Sequence, residues 1–495
     1  MELQFQNTPL RCLRCSASGN TEAEQTLELR IGEGQPPVGR VLGAWGQPLI
    51  RGKEWRGDQV RVHGGIMTRV LYEGEDSGEI GAVEGWLPFQ LRWDLNDSRT
   101  DGKMVLSCCL RSMDARQIGA EKLMVRASVS ANLQALEREE IPVFSPQSIP
   151  EDVFVKMENR SAMLPMEAGE IALALDDEII LPPGKADVET ILFYSLTPHI
   201  TDKKVMADKL VFRGTAELCM AYLGGDGQVH MYRTELPISQ YGELEREYGP
   251  DAILWIEPMV ADLELEKMED GRIRLKANLV GQYVIYDKTD VCAVQDAYSP
   301  KRDVQPIFQQ VRLPSVLELR TETLPLHQTV EEQADRVVCT LVSTGQPRMQ
   351  GEETVVEGAS QTLYYDPEGK LQCAASPFEE SLAISTPNGA MLSAGMVNTG
   401  NPEAIPGGES MRVQSDLELW LRADQGEALP MVSGLTVGEE RKPDADRPSL
   451  VLRRAGGMKL WDLAKKYGSS EEKIRTANGL TDEPEGSRML LIPVE

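Results

Sequence analysis

The sequence predicts a mostly β protein: three repeated antiparallel β-sandwich-like domains followed by a small strand–helix–helix–strand module. Three observations predict it. One order of strands and turns returns three times at a spacing of about 140 to 150 residues, a domain-sized period rather than that of a solenoid. Several runs alternate apolar and charged residues with period two, as half-buried strands do. The last fifty or so residues change in both charge and periodicity.

Each copy opens with an extended run that leads through a polar turn into an apolar stretch. In the second copy these are Glu178–Gly184 and Val188–Leu192; in the first, Glu28–Ile31 and Pro36–Leu42; in the third, Leu319-Arg320 and Asp335–Val338. A strand, a glycine, another strand and a turn follow. Val62-His63-Gly64 leads to Val70-Leu71-Tyr72, Phe212-Arg213-Gly214 to Met220-Ala221-Tyr222, and Val356-Glu357-Gly358 to Leu363-Tyr364-Tyr365. Asp226-Gly227 and Glu368-Gly369 supply the positive φ that hairpin turns require. Closing strands alternate cleanly, as in Arg272–Leu279, Leu123–Val129 and Met411–Leu417. Helical periodicity is scarce in this region, and Gln240–Tyr248 is the best candidate for a short helix. The divisions are 1–145, 146–315 and 316–437 for the β domains, 438–448 for a linker and 449–495 for the tail.

Composition narrows the function. The formal net charge is −27, which argues against binding a nucleic-acid backbone or an anionic membrane surface. No run approaches the roughly 20 apolar residues of a membrane span. Met1–Phe5 lacks the basic start and apolar run of a secretory signal, so a cytosolic site is expected. Cys12 and Cys15 form a lone C-x-x-C without a second ligand pair, so no metal is expected. Cys108-Cys109, His63 and His230 read as packing or sheet residues, and Gly32-Glu33-Gly34 as a turn. The sequence holds no Walker loop, H-E-x-x-H, G-x-S-x-G or dinucleotide fingerprint, so neither catalytic residues nor cofactors are assigned.

Phe144-Ser145-Pro146 and Tyr298-Ser299-Pro300 close the first two copies alike. With Arg40-Val41-Leu42, Gly64 to Tyr72, Gly214 to Tyr222 and Ala297-Tyr298-Ser299, the chain resembles the SPOCS-domain proteins (the DUF3794 family) of clostridial spore formers. The resemblance covers most of residues 1 to 440, loosely in the third copy, and implies no catalytic residues.

The tail is electrically distinct. Residues 449–495 hold 8 Lys and Arg against 7 Asp and Glu, a net of +1, which leaves about −28 on the remainder. Leu450-Val451-Leu452 reads as a strand. Leu460, Leu463, Ala464 and Tyr467 share one helical face, and Gly468 ends that helix. Ser469 with Glu472 fits a capping box, in a register open to a shift of one, for a second helix that closes at Asn478-Gly479. Met489–Pro493 is the final strand. Leu460–Ala464, Tyr467-Gly468, Asn478-Gly479-Leu480, Gly486 and Leu490–Pro493 resemble a LysM domain.

Sugar-binding members of that family hold N-acetylglucosamine chains between two loops, which fall here on Gly457, Met458 and Lys459, and on Leu480, Thr481, Asp482, Glu483 and Pro484. The family's usual Gly-Asp-Thr is Gly457-Met458-Lys459 in this chain. Loss of the threonine cap costs the helix start about 1 kcal/mol, and loss of polar lining shifts the expected ligand from glycan to protein. SPOCS repeats ahead of a LysM module are the arrangement of SipL-like spore morphogenetic proteins. The resemblance therefore implies a non-enzymatic adaptor in the mother-cell cytosol, at the forespore surface or spore coat, binding the coat morphogenetic ATPase SpoIVA through the tail. The alternatives are a peptidoglycan- or GlcNAc-binding wall or cortex protein, and an envelope protein that self-associates through its β domains.

Overall fold

The computed structural model describes residues 2–76, 78–95, 102–385, 389–441 and 448–494. Ahead of the tail the chain is built from strands, arranged three times in one order. A long opening strand (Leu10–Arg30, Phe154–Ile179, Arg302–Val330) pairs antiparallel with a long closing strand (Lys122–Ile141, Ile273–Tyr298, Met411–Glu440). The segment before the closing strand flanks its other edge: Lys103–Gly119, Ile253–Lys267, and Met391–Asn398 with Glu403–Pro406. A second sheet holds Val38–Arg56, Gln59–Gly74 and Ile80–Asp94 in the first repeat, and Arg336–Thr344, Glu353–Tyr365 and Leu371–Ala383 in the third. In the second, Val188–Gly224 turns back on itself near Ala207, which has φ 55°, and pairs with Val229–Tyr248.

The repeated glycine has a steric cause. A Cβ on Gly64, Gly214 or Gly358 would overlap the backbone carbonyl of Leu49, His199 or Ser343 on the adjoining strand. Only glycine permits that approach. The turn entering the second sheet is shared by the first two repeats: Gln35 N–H donates to Gly32 O and Lys185 N–H to Pro182 O, both at 3.2 Å.

Each closing strand changes character along its length. Ile273, Leu275, Ala277 and Leu279 are buried and alternate with more exposed neighbours, yet 281–286 are buried on both faces; 129–137 and 419–423 behave alike. There the repeats meet. Trp255 of the second packs edge-on against Trp420 of the third, with centroids 6.0 Å apart. Leu13, Val105 and Leu136 of the first join the same cluster. Amide side chains satisfy backbone groups that lack a strand neighbour at these junctions. Gln282 accepts from Leu106 N–H (3.0 Å) and donates to Leu106 O (2.7 Å). Gln47 does the same for Leu196, at 2.9 and 2.7 Å. Gln346 accepts from Met396 N–H at 3.0 Å.

The expected helix at Gln240–Tyr248 is instead part of strand Val229–Tyr248. Lys209–Phe212 pair with Gln240–Glu243, and Glu245 N–H is taken by the Glu167 carboxylate at 3.1 Å. Tertiary pairing here overrides the helix propensity of Leu244–Glu247. Strand Arg302–Val330 is continuous through 315 and 316, where the sequence divides the second domain from the third. Strand Met411–Glu440 runs into the linker, of which 442–447 lie outside the described residues.

Candidate functional site

The tail folds as strand Leu450–Arg454, α1 (Leu460–Tyr467), α2 (Glu471–Asn478) and strand Met489–Pro493, with the two strands antiparallel. Its core is Leu460, Leu463, Ala464, Ile474, Leu490 and Ile492. Gly468 and Gly479 close the helices in the left-handed region, at φ 63° and 60°, as glycine at these ends allows. Ser470, one position beyond Ser469, caps α2 by accepting from Lys473 N–H. Asn478 then bonds both N–H and O of Leu491, at 2.8 and 2.6 Å, and so covers that strand's outer edge.

The structure brings the two loops named from sequence together. Lys459 is the N-cap of α1 and makes no side-chain cap bond. Glu483, from the second loop, supplies the missing acceptor: its Oε2 takes Leu460 N–H at 2.8 Å. A carboxylate at a helix N-terminus satisfies an orphan donor and complements the dipole. Arg475 donates to Thr481 O at 3.0 Å and lies 3.6 Å from Glu483. Gly457 takes φ 81°. Met458 and Leu480 are partly buried against the tail core, Lys459, Thr481, Asp482 and Glu483 are exposed, and Pro484 is half-buried. The apolar residue standing in the first loop is thus a packing residue, and the cleft between the loops is crossed by the protein's own carboxylate.

Two features of the tail escaped the sequence reading. The first is its attachment to the β repeats. Trp461 Nε1 donates to Asp296 Oδ2 at 2.9 Å, and Lys465 Nζ reaches both oxygens of Asp296 at 2.7 and 2.8 Å. Tyr298 stands edge-on to Trp461, centroids 4.8 Å apart, and its hydroxyl donates to Ser469 O at 3.0 Å. Burial opposes ionisation of Asp296, but the bonds from Lys465 and Trp461 outweigh it and hold the carboxyl below its ordinary range. The second feature is an outward apolar ladder. In the strand pair Leu452 faces Leu491, Leu450 faces Pro493 and Arg454 faces Met489. Leu450, Leu452, Met489 and Leu491 are 52%, 61%, 48% and 39% exposed. The signal was present: Leu450-Val451-Leu452 and Met489–Ile492 are apolar at consecutive positions, so both faces of the pair are apolar, and one small core covers only one.

Residues 187–268 match the family described as SipL, SPOCS domain. The match begins one residue before Val188–Gly224 and ends one residue after Ile253–Lys267, so it covers the three strand segments between the second repeat's long strands. No curated protein and no solved structure matches the chain. No helix among the described residues is long and apolar enough to cross a membrane. Over residues 187–268 the second repeat is thus similar to the SPOCS domain of SipL, a likeness that points to a sporulation-related protein.

Proposed function

We propose that the chain is a non-enzymatic adaptor of spore-envelope assembly, in which the interlocked β repeats hold a LysM-like tail that binds a protein. The observation that carries this reading is the apolar ladder of Leu450, Leu452, Met489 and Leu491, exposed while the tail is docked through Trp461. Exposed apolar side chains in one contiguous ladder mark an interaction surface. Arg454 on that face favours a partner with an apolar patch bordered by carboxylates. Glu483 crossing from one loop to the other supports a protein over a sugar chain, because a glycan lying there would have to displace it from Leu460 N–H. The partner expected from the family resemblance is the coat morphogenetic ATPase SpoIVA, met at the forespore surface in the mother cell.

The test is binding of the full chain to purified SpoIVA by calorimetry, beside a Leu452→Glu, Leu491→Glu variant. Both side chains face solvent, so the variant should keep the parent's thermal midpoint and lose at least about tenfold in affinity. Unchanged affinity sinks the ladder as the contact surface. Binding of purified sacculi by the parent, with none of SpoIVA, would replace this reading by the glycan one.

A further inference from the structure

The junction of the first two repeats holds an amine, an amide and a carboxylate in direct contact. Lys53, on strand Val38–Arg56 of the first repeat, reaches into the second with its side chain only 6% exposed. Its Nζ donates to Met104 O at 3.2 Å and to Gln282 Oε1 at 2.5 Å, and pairs with the Glu170 carboxylate. Gln282 has no exposed surface. An amine this near the amide oxygen lies within about 3.7 Å of Cδ, one C=O bond length further on. That is close to the separation from which a nucleophile attacks.

Strand register and hydrogen bonds prepare the amide for substitution. Glu170, Gln282 and Glu257 stand directly opposite one another on three neighbouring strands, so their side chains share one face. Gln282 Oε1 also accepts Leu106 N–H at 3.0 Å, and Nε2 donates to Leu106 O at 2.7 Å. The first contact sits where negative charge gathers as the carbonyl is attacked; the second holds the leaving nitrogen. Burial depresses the Lys53 ammonium against the attraction of Glu170, which favours the free amine. Burial also raises the Glu257 carboxyl to about 8, so at pH 7 it sets no second negative charge beside the amide.

We propose that Lys53 and Gln282 join in an isopeptide bond that staples the first repeat to the second. Glu170 accepts a proton from Nζ, whose lone pair then forms the Nζ–Cδ bond as the carbonyl electron pair moves onto Oε1. That pair returns and breaks the Cδ–Nε2 bond. The two protons that Nζ gives up depart on Nε2, which leaves as ammonium. No electrons are gained or lost, and no co-reactant is consumed. The bond closes a span of 229 positions in the chain and, unlike a disulfide, does not open to thiols. It lies within the β repeats and is independent of what the tail binds.

The test is the intact mass of the purified, folded full chain, read after denaturation and followed by protease mapping. The parent should weigh less than its sequence by one ammonia, and its digest should hold one branched peptide joining Lys53 to Gln282. Lys53→Met and Gln282→Leu should each restore the sequence mass, and the parent measurement stands even where a variant fails to fold. In freshly synthesised chain sampled over time, Glu170→Gln should form the bond at least about tenfold more slowly. A parent at its full sequence mass overturns the proposal, as does an ammonia loss that maps to other residues. Equal rates in the parent and Glu170→Gln overturn Glu170 as the proton acceptor.

Discussion

Glu257 is a carboxyl where the repeats meet, only 5% exposed. Loss of water is the largest influence on it; a bond from Ser107 and the charge of Lys203 pull the other way, leaving its pKa at about 8. Lys203 itself is held below its usual value by burial, against the attraction of Glu257, and sits 4.5 Å above the Trp255 ring. For a carboxyl the folded value then lies above the unfolded value of 4.5. The folded state binds the proton more tightly, so the contribution to stability is full below about pH 4.5 and declines as pH rises through about 8. The thermal midpoint should fall over that window, and Glu257→Gln, which keeps the neutral shape, should flatten the fall. Calorimetry from about pH 5 to 9 reads both curves; parallel slopes would mean Glu257 is ionised in the folded protein. Nothing near it in sequence announces this site, since Ile256-Glu257-Pro258 looks like an ordinary strand edge. The groups that act on it, Ser107 and Lys203, stand 50 or more positions away in the chain, and local periodicity carries no record of such contacts.

At the level of elements, legibility followed whether a constraint was local. The strand–glycine–strand order was readable three times because it is enforced by one close backbone approach within each repeat. Alanine at Gly64, Gly214 or Gly358 must push paired strands away from each other, which should cost at least about 2 kcal/mol per site. Gly19 is the control. It also lies in a strand, but a Cβ there meets nothing within 4 Å, so Gly19→Ala should stay within about 0.5 kcal/mol. Urea midpoints of the four variants check this, and equal small losses at all four would discard the steric account. The misread at Gln240–Tyr248 is the converse case. Glu243-Leu244-Glu245-Arg246-Glu247 favours a helix by composition, yet its backbone is held from outside. Glu167 gathers Glu245 N–H, the Tyr248 hydroxyl and the Tyr283 hydroxyl, the last two at 3.0 Å. Glu167 and Tyr283 are drawn from two other strands, and a single-sequence window contains neither. In the tail the signals were again local: the helix ends at Gly468 and Gly479 needed only their own turns, while the reach of Glu483 to Leu460 crosses 23 positions and was not foreseen.

Over the whole molecule, the β repeats and the tail are joined through Asp296 and Tyr298 at the end of the second repeat's closing strand. The Ala297-Tyr298-Ser299 segment, noticed as a mark of resemblance, therefore has a mechanical role: its tyrosine is sandwiched between Phe154 and Trp461. Trp461 belongs at once to the tail core and to the contact, so substituting it would confound undocking with unfolding. Asp296→Ala with Tyr298→Ala changes only the receiving side. This variant should lose amide protection in Leu460–Tyr467 by about tenfold or more, because the bonds from Trp461 and Lys465 to the carboxylate, the Tyr298–Ser469 bond and an aromatic contact all disappear. Protection in Ile273–Leu279, in the same strand but remote from the contact, should be unchanged. Acid should act similarly on the parent. Asp296 has a folded value below the unfolded one, so its contribution is present above the usual ~3.9 and is lost as pH falls through the lower folded value. Hydrogen exchange at about pH 6 and about pH 3 tests both arms, after correction for the intrinsic exchange rate. Protection in α1 that is indifferent to the double substitution would mean the tail is stable without its seat. The repeats would then tether the apolar ladder rather than aim it.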